Sequence, residues 1–193
     1  MSKRIALFSA AAFAALALTA AVVAPVSAQD KMKSEMSGEK TVMVGGAAMF
    51  PSKNIIQNAV NSKDHTTLVA AVKAAGLVET LEGKGPFTVF APTNSAFGKL
   101  PAGTVDSLVK PENKATLTKI LTYHVVPGKL EASSLTDGKK LKTVEGEELT
   151  VKHADGKIWI IDAKGDSSMV SISNVNQSNG VIHVIDTVLM PAS

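Results

Sequence analysis

The sequence predicts an α+β domain in which helices come first along the chain and β-strands follow. Between about residues 52 and 121, apolar side chains recur every three to four positions, as on one face of a helix. From residue 149 onwards they alternate with polar side chains, as in half-buried strands. Because no segment repeats and ~140 residues can enclose one core, a single domain is expected.

The helical half consists of short helices separated by turn residues. Ser52 is suited to cap a first helix, because its side-chain oxygen can accept a free N–H group of the first turn. Asp64 or Thr66 can cap a second helix, which ends at Gly76. A buried strand from Phe87 to Ala91 then interrupts the helices. Further helices are predicted near residues 77–81, 94–99, 104–109 and 111–121.

The second half contains turn signals that indicate hairpins. Asp155-Gly156 and Asn179-Gly180 each separate two apolar runs, and both dipeptides favour the tight turns that join antiparallel strands. The final run, Val181–Met190, is apolar on both faces. That pattern is typical of a strand at the centre of a covered sheet.

Three segments carry a more specific signal: residues 85–97, 121–128 and 179–191. In this order and spacing they resemble the fasciclin (FAS1) domain, with Tyr123-His124 similar to its Tyr-His motif. The resemblance runs from about residue 51 to residue 191. It implies helices packed on a wedge of about seven mostly antiparallel strands. It also implies a set of structural signature residues: Thr88, Phe90, Pro92, Thr93, Asn94, Phe97, Gly180, His183, Asp186 and Pro191.

The N-terminus has the pattern of a secretory signal peptide. Lys3 and Arg4 precede an apolar run that ends in small residues, which predicts cleavage between Ala28 and Gln29. The alternative is an uncleaved membrane anchor, since about twenty apolar residues can span a bilayer. Residues 1–28 are therefore assigned to the signal peptide, 29–41 to a disordered polar leader, 42–50 to an extended strap and 51–193 to the fasciclin domain. Such a leader also resembles that of bacterial single-domain fasciclin proteins.

Composition excludes several classes of function. Without Lys3 and Arg4, 18 of the 20 basic residues remain, all of them lysine, against 17 acidic ones, so the mature chain has a net charge of about +1. A nearly neutral chain without arginine gives no reason to expect nucleic-acid binding. There is no cysteine, so neither a disulfide nor a lipid-modified cysteine can form. A secreted product in the periplasm or the medium, without stable membrane insertion, is expected.

Catalytic and metal-binding patterns are weak. The four histidines have no ligand spacing, and neither a nucleophile elbow nor a phosphate-binding glycine loop is present. Glu147-Glu148 is more consistent with a solvated strand start than with a catalytic pair. Asp64 and His65 could meet other carboxylates around a metal ion, but a role for Asp64 as a helix cap already explains its position. No enzyme activity, cofactor or metal site is predicted.

Tyr123-His124 admits two interpretations. The resemblance implies a binding role, because in the family this segment is implicated in receptor binding. The four flanking aliphatic residues favour a buried, structural role instead, with the tyrosine hydroxyl hydrogen-bonded: Ile120, Leu121, Val125 and Val126. His183, in an apolar strand, is expected to be a core imidazole with a hydrogen-bonded partner.

The resemblance implies adhesion: a monomer that binds a cell-surface or matrix protein or polysaccharide through surface complementarity. The alternative is a periplasmic carrier of a small apolar ligand. A carrier requires a pocket of several hundred Å³, whereas an adhesin requires only a surface patch.

Overall fold

The structure, a computed structural model, describes residues 40–192, and these begin with a β-hairpin. The predicted signal peptide, its cleavage site at Ala28 and Gln29, and the leader up to residue 39 lie outside the described residues. Strands β1 (Val42–Val44) and β2 (Ala47–Met49) pair antiparallel in the segment predicted as a single extended strap. Gly45 and Gly46 join the two strands in a tight hairpin turn. Their φ angles of 57° and 76° are ones that residues with a side chain rarely adopt.

The helices follow the predicted order. They are α1 (Ile55–Ala59), α2 (Thr66–Ala75), α3 (Val78–Glu82), α4 (Asn94–Gly98), α5 (Thr104–Leu108) and α6 (Lys114–Tyr123). Single 3-10 turns lie at Lys63–His65, Pro111–Asn113 and Ala132–Ser134. Within residues 40–192, no helix is long and apolar enough to cross a membrane.

Two predicted helix caps are wrong. Asn54, not Ser52, is the N-cap of α1, where its side chain accepts the Gln57 N–H at 2.8 Å and completes a capping box. Helix α2 follows a 3-10 turn and has no cap from Asp64 or Thr66. Its first turn is satisfied from a distant segment, because Asn94 accepts the Thr67 N–H at 3.0 Å.

Seven strands form the main sheet, in the order β4-β3-β9-β8-β7-β6-β5. They are β3 (Phe87–Pro92), β4 (Val125–Pro127), β5 (Lys140–Lys142), β6 (Glu148–Ala154), β7 (Lys157–Ile161), β8 (Ser167–Gln177) and β9 (Gly180–Ile185). Only the pair β3–β9 is parallel. The predicted α+β class with a mostly antiparallel sheet is therefore confirmed.

The central strand behaves as its composition indicates, but it is shorter than predicted. All six residues of β9 are buried between β3 and β8. The strand ends at Ile185 rather than at Met190, because the Asp186 carboxylate accepts backbone and side-chain donors at that point and turns the chain.

The sheet curls until its two edges approach one another. Strand β8 pairs with β7 through its first residues and with β9 through the rest, and register shifts between Val170 and Val175 bend it. At the opposite end, the Val144 N–H just after β5 donates to the Val125 carbonyl in β4 at 2.8 Å. Curling produces two cores. One lies between the helices and strands β3 and β9, and the other lies inside the curl around Phe90, Tyr123 and Leu149.

Candidate functional site

The Tyr-His segment lies where helix α6 joins strand β4. Tyr123 is the last helical residue and His124 caps the helix. The four flanking aliphatic side chains are buried, as are the pair themselves, with exposed fractions of 0% for Tyr123 and 2% for His124. Neither side chain reaches the surface in this conformation.

Both ring nitrogens of His124 are hydrogen-bonded to backbone. Nδ1 lies 2.8 Å from the Ile120 carbonyl oxygen, and Nε2 lies 3.0 Å from the Leu189 nitrogen. A carbonyl can only accept and a peptide N–H can only donate. His124 is therefore neutral, with its proton on Nδ1.

Burial lowers the pKa of His124 to about 4, although the Ile120 carbonyl and the Asp162 carboxylate both act to raise it. A proton on Nε2 would also have no acceptor, because the Leu189 N–H points at that atom. The imidazole works as an acceptor and donor between backbone groups, and it is unsuited to act as a general base towards a ligand in solvent.

The hydroxyl of Tyr123 links the start of strand β6 to the turn that follows strand β7. It accepts the Ala163 N–H at 2.8 Å and donates to the Glu148 carbonyl at 3.3 Å. Burial raises the pKa of Tyr123 to about 12, opposed by the Ala163 hydrogen bond and assisted by the carboxylates of Asp162, Glu147 and Glu145. The phenol thus stays protonated and structural.

His124 joins the three segments noted in the sequence. Its carbonyl accepts the Phe90 N–H of the first segment at 2.9 Å, and its ring accepts the Leu189 N–H of the third. Phe90 in turn stacks on His183, with ring centroids 5.7 Å apart. One buried centre therefore holds the N-terminal, middle and C-terminal parts of the domain together.

The other signature residues of the first segment also make fold contacts. The Thr88 hydroxyl donates to the Gly128 carbonyl at 2.6 Å, and Thr93 caps α4 by accepting the Ala96 N–H at 3.2 Å. Asn94 spans α4 and α2, and it donates to the Lys63 carbonyl at 2.8 Å. Pro92 and Phe97 are buried nearby, at the end of β3 and in α4.

The third segment is equally integrated. His183 is fully buried; its Nε2 donates to the Leu130 carbonyl at 2.8 Å, and burial lowers its pKa. Burial alone would raise the pKa of Asp186, but the Met169 N–H, the Thr187 hydroxyl and Lys99 lower it below its usual value. Gly180 lies against strand β3 and Pro191 is buried near the C-terminus.

Two buried amides make contacts that the sequence analysis did not predict, and these contacts are as important as those of the motifs. Asn179 accepts the Ile55 N–H at 3.1 Å and donates to the carbonyls of Leu81 and Gly83 at 2.7 and 2.9 Å. Asn58 bonds both backbone groups of Phe50 and also contacts Gln177. Asn179 was noted only as part of an Asn-Gly turn signal, and nothing in the sequence indicates its partners.

The interior offers little room for a ligand. An apolar cavity of about 40 Å³ lies between α1, α2 and the sheet, with His65 and His124 in its wall. This is far smaller than the several hundred Å³ typical of ligand pockets, so this cavity does not support the carrier hypothesis. A second, more polar cavity of about 500 Å³ lies between the N-terminal hairpin and strand β8, with Val42, Met49 and Asn174 in its wall. Within residues 40–192 there is no group of three or more histidine, aspartate or glutamate side chains that could hold a metal ion.

Comparison with known proteins gives a consistent result. A family model described as the Fasciclin domain matches residues 63–191. The Synechocystis protein sll1483 is 52% identical over 153 residues, covering 79% of this chain and 82% of that protein. The cell surface glycolipoprotein MPB83 of Mycobacterium bovis is 39% identical over 153 residues, covering 77% and 64%. Among solved structures, a FAS1 domain pair from the insect cell adhesion molecule Fasciclin I superposes with a TM-score of 0.65 at 19% identity, covering 73% of this chain and 52% of that one.

Proposed function

This chain belongs to the fasciclin family, and from that premise we propose that it is a secreted adhesion protein that binds a cell-surface or matrix protein or polysaccharide. Binding proceeds through surface complementarity, without covalent chemistry. The similarity of the fold to domains of an insect cell adhesion molecule supports this proposal by analogy.

The observation that carries the proposal is that the three signature segments meet inside the protein. Tyr123 and His124 are committed to backbone hydrogen bonds, and the interior cavity is too small for a ligand. Recognition then has to use the outside of the domain. We propose that the pair supports this surface rather than contacting a partner.

Export is part of the same proposal. The segment 1–28 has the composition of a signal peptide, and the similar mycobacterial protein MPB83 is described as a cell surface protein. The exported form should have the mass of Gln29–Ser193. Recovery from membranes of a chain that still begins at Met1 would overturn both cleavage and release.

Adhesion can be tested by immobilising the protein Gln29–Ser193 and counting attached cells of the producing organism. The control is an unrelated, size-matched soluble protein immobilised at equal density. Attachment above this control is expected, and attachment equal to it with folded protein would contradict the proposal.

The role of the Tyr-His segment is tested in the same assay with Tyr123→Phe. The variant retains the packed ring and should attach cells as well as the parent. A Tyr123→Phe protein that is fully folded at the assay temperature and no longer attaches cells would show that the hydroxyl contacts a partner.

A further inference from the structure

The outer face of strands β5–β8 is a surface that the signature segments do not use. Leu141, Leu149, Val151 and Ile160 point into the curl of the sheet and are buried there. Side chains alternate along a strand, so the residues between them point outwards. These outward residues constitute what we call the outer face.

Trp159 lies at the centre of the outer face. It is directly opposite Lys152 on one side and Met169 on the other, while Ile161 lies two positions further along β7. It is half-buried, and it is the single tryptophan of the sequence. Its indole nitrogen is buried and makes no hydrogen bond to any residue between 40 and 192, so the exposed part of the ring is carbon.

The rim of the outer face is basic and rich in hydroxyl groups. Its lysines are Lys140, Lys142, Lys152 and Lys157, all exposed. Their acidic neighbour on the face is Glu148, which pairs with Lys140 at 3.3 Å. On the same face, Thr150 lies directly opposite Lys140, and Ser167 lies on β8 opposite Ile161. The hydroxyl of Ser171, also on β8, donates to the Val184 carbonyl. The excess of positive charge stands out on a mature chain that is nearly neutral overall.

We propose that the outer face binds an anionic polysaccharide, a polymer of uronic acid units, which rests on the adhesion function proposed above and specifies its ligand. An indole ring is a flat, amphipathic platform on which the C–H face of a pyranose ring can pack. Lysine ammonium groups around it supply point charges for the carboxylates, and the hydroxyls of Thr150 and Ser167 match those of the sugar. Four adjacent strands span about 14 Å, enough to contact more than one sugar unit.

A membrane surface fits the outer face less well. Peripheral membrane binding requires apolar side chains that protrude into the lipid. Trp159, Ile161 and Met169 are each half-buried, so little of their apolar surface is free to enter a lipid layer. Nucleic acid fits less well too, because the mature sequence has no arginine to hold phosphates with a bidentate fork.

The single tryptophan makes the proposal directly measurable. Titrating the protein Gln29–Ser193 with polygalacturonate should change the position and intensity of tryptophan fluorescence in a saturable manner, and added salt should weaken binding. Neutral dextran should leave the emission unchanged. Two results would contradict this ligand: an equal response to dextran, or no response to polygalacturonate. If the immobilised protein still attaches cells in either case, the proposed adhesion function is unaffected.

Single substitutions distinguish binding at the outer face from a general effect of the protein's charge. Lys152→Ala and Lys157→Ala should each weaken binding of polygalacturonate roughly three- to five-fold, the size of an exposed ion pair. Lys73→Ala removes the same charge from an exposed position on α2 and should leave affinity unchanged. Trp159→Phe, followed by calorimetry, should weaken binding while the melting temperature stays near that of the parent.

Other outcomes are decisive against the proposal. If Lys73→Ala weakens binding as much as Lys152→Ala, the interaction is a diffuse charge effect. If vesicles of anionic lipid, or a single-stranded oligonucleotide, bind more tightly than polygalacturonate, the face belongs to a membrane or a nucleic acid instead.

Discussion

Replacing His124 by alanine tests the buried centre most directly. The substitution leaves the Leu189 N–H without an acceptor, and Leu189 is 1% exposed, so water cannot replace the ring easily. An unsatisfied buried donor costs about 1–3 kcal/mol, and the lost packing of the ring adds to it. We expect His124→Ala to lower the free energy of unfolding by about 3 kcal/mol at pH 7.

The same substitution has a pH signature. In the unfolded chain the imidazole has its ordinary pKa of 6.5, whereas burial lowers the pKa of His124 to about 4 in the folded protein. Between these values the unfolded state binds more protons, so stability is full above pH 6.5 and falls as the pH is lowered towards 4. A difference of two and a half pKa units corresponds to about 3 kcal/mol.

The gap in stability between the parent and His124→Ala should therefore close from about 3 kcal/mol at pH 7 to near zero at pH 4. Urea denaturation followed by circular dichroism at several pH values measures it. His65 and His183 are present in both proteins, so their contributions cancel in the difference. His153→Ala, at an exposed imidazole on β6, is the control and should cost about 1 kcal/mol at pH 7. A gap for His124→Ala that is the same at both pH values would refute the assigned hydrogen bonds and protonation state.

Three further expectations concern packing. Tyr123→Ala should cost about 3–5 kcal/mol by opening a cavity, whereas Tyr123→Phe should cost about 1 kcal/mol for the lost hydroxyl, both by thermal denaturation. Gly180→Ala should cost about 3 kcal/mol, because its methyl group would overlap a carbonyl oxygen of β3, whereas Gly98→Ala meets no atom within 4 Å and should be neutral. Removing residues 1–41 should leave the melting temperature unchanged. Removing residues 42–50 as well should lower it, since the hairpin buries side chains in the core, and equal melting temperatures would show that the hairpin contributes nothing.

The features that could be predicted from sequence were local ones. Asp155-Gly156 forms the tight turn that its composition indicates, with positive φ at both residues, because turn geometry depends on the residues that make it. The hairpin predicted at Asn179-Gly180 forms one residue earlier: Gln177 pairs with Gly180, so Ser178 and Asn179 make the turn and Gly180 belongs to β9. Gly45-Gly46 carries the same kind of signal, and the prediction of an extended strap overlooked it. The fold class followed from the change of hydrophobic period along the chain.

Long-range partnerships could not be predicted in this way. His124 bonds to a residue 65 positions away, and Asn94 satisfies the first turn of a helix 27 positions earlier. The approach of β4 to β5 depends on register shifts in β8, which no local pattern specifies. Such contacts depend on how complete elements pack, so a buried polar residue in the sequence indicates that a partner exists without indicating which one.

The position of the signature segments also bears on where specificity can reside. Phe90, His124 and Leu189 are joined by hydrogen bonds inside the protein, and each bond satisfies a buried polar group of another segment. These bonds stabilise the fold. On a curled sheet every second side chain points away from that interior, so the outward positions can change without disturbing the buried network. Trp159 occupies such a position, while its neighbour Ile160 is fully buried in the core. It follows that the buried signature residues support the fold, and that the ligand proposed for this chain is expected to contact the outward residues.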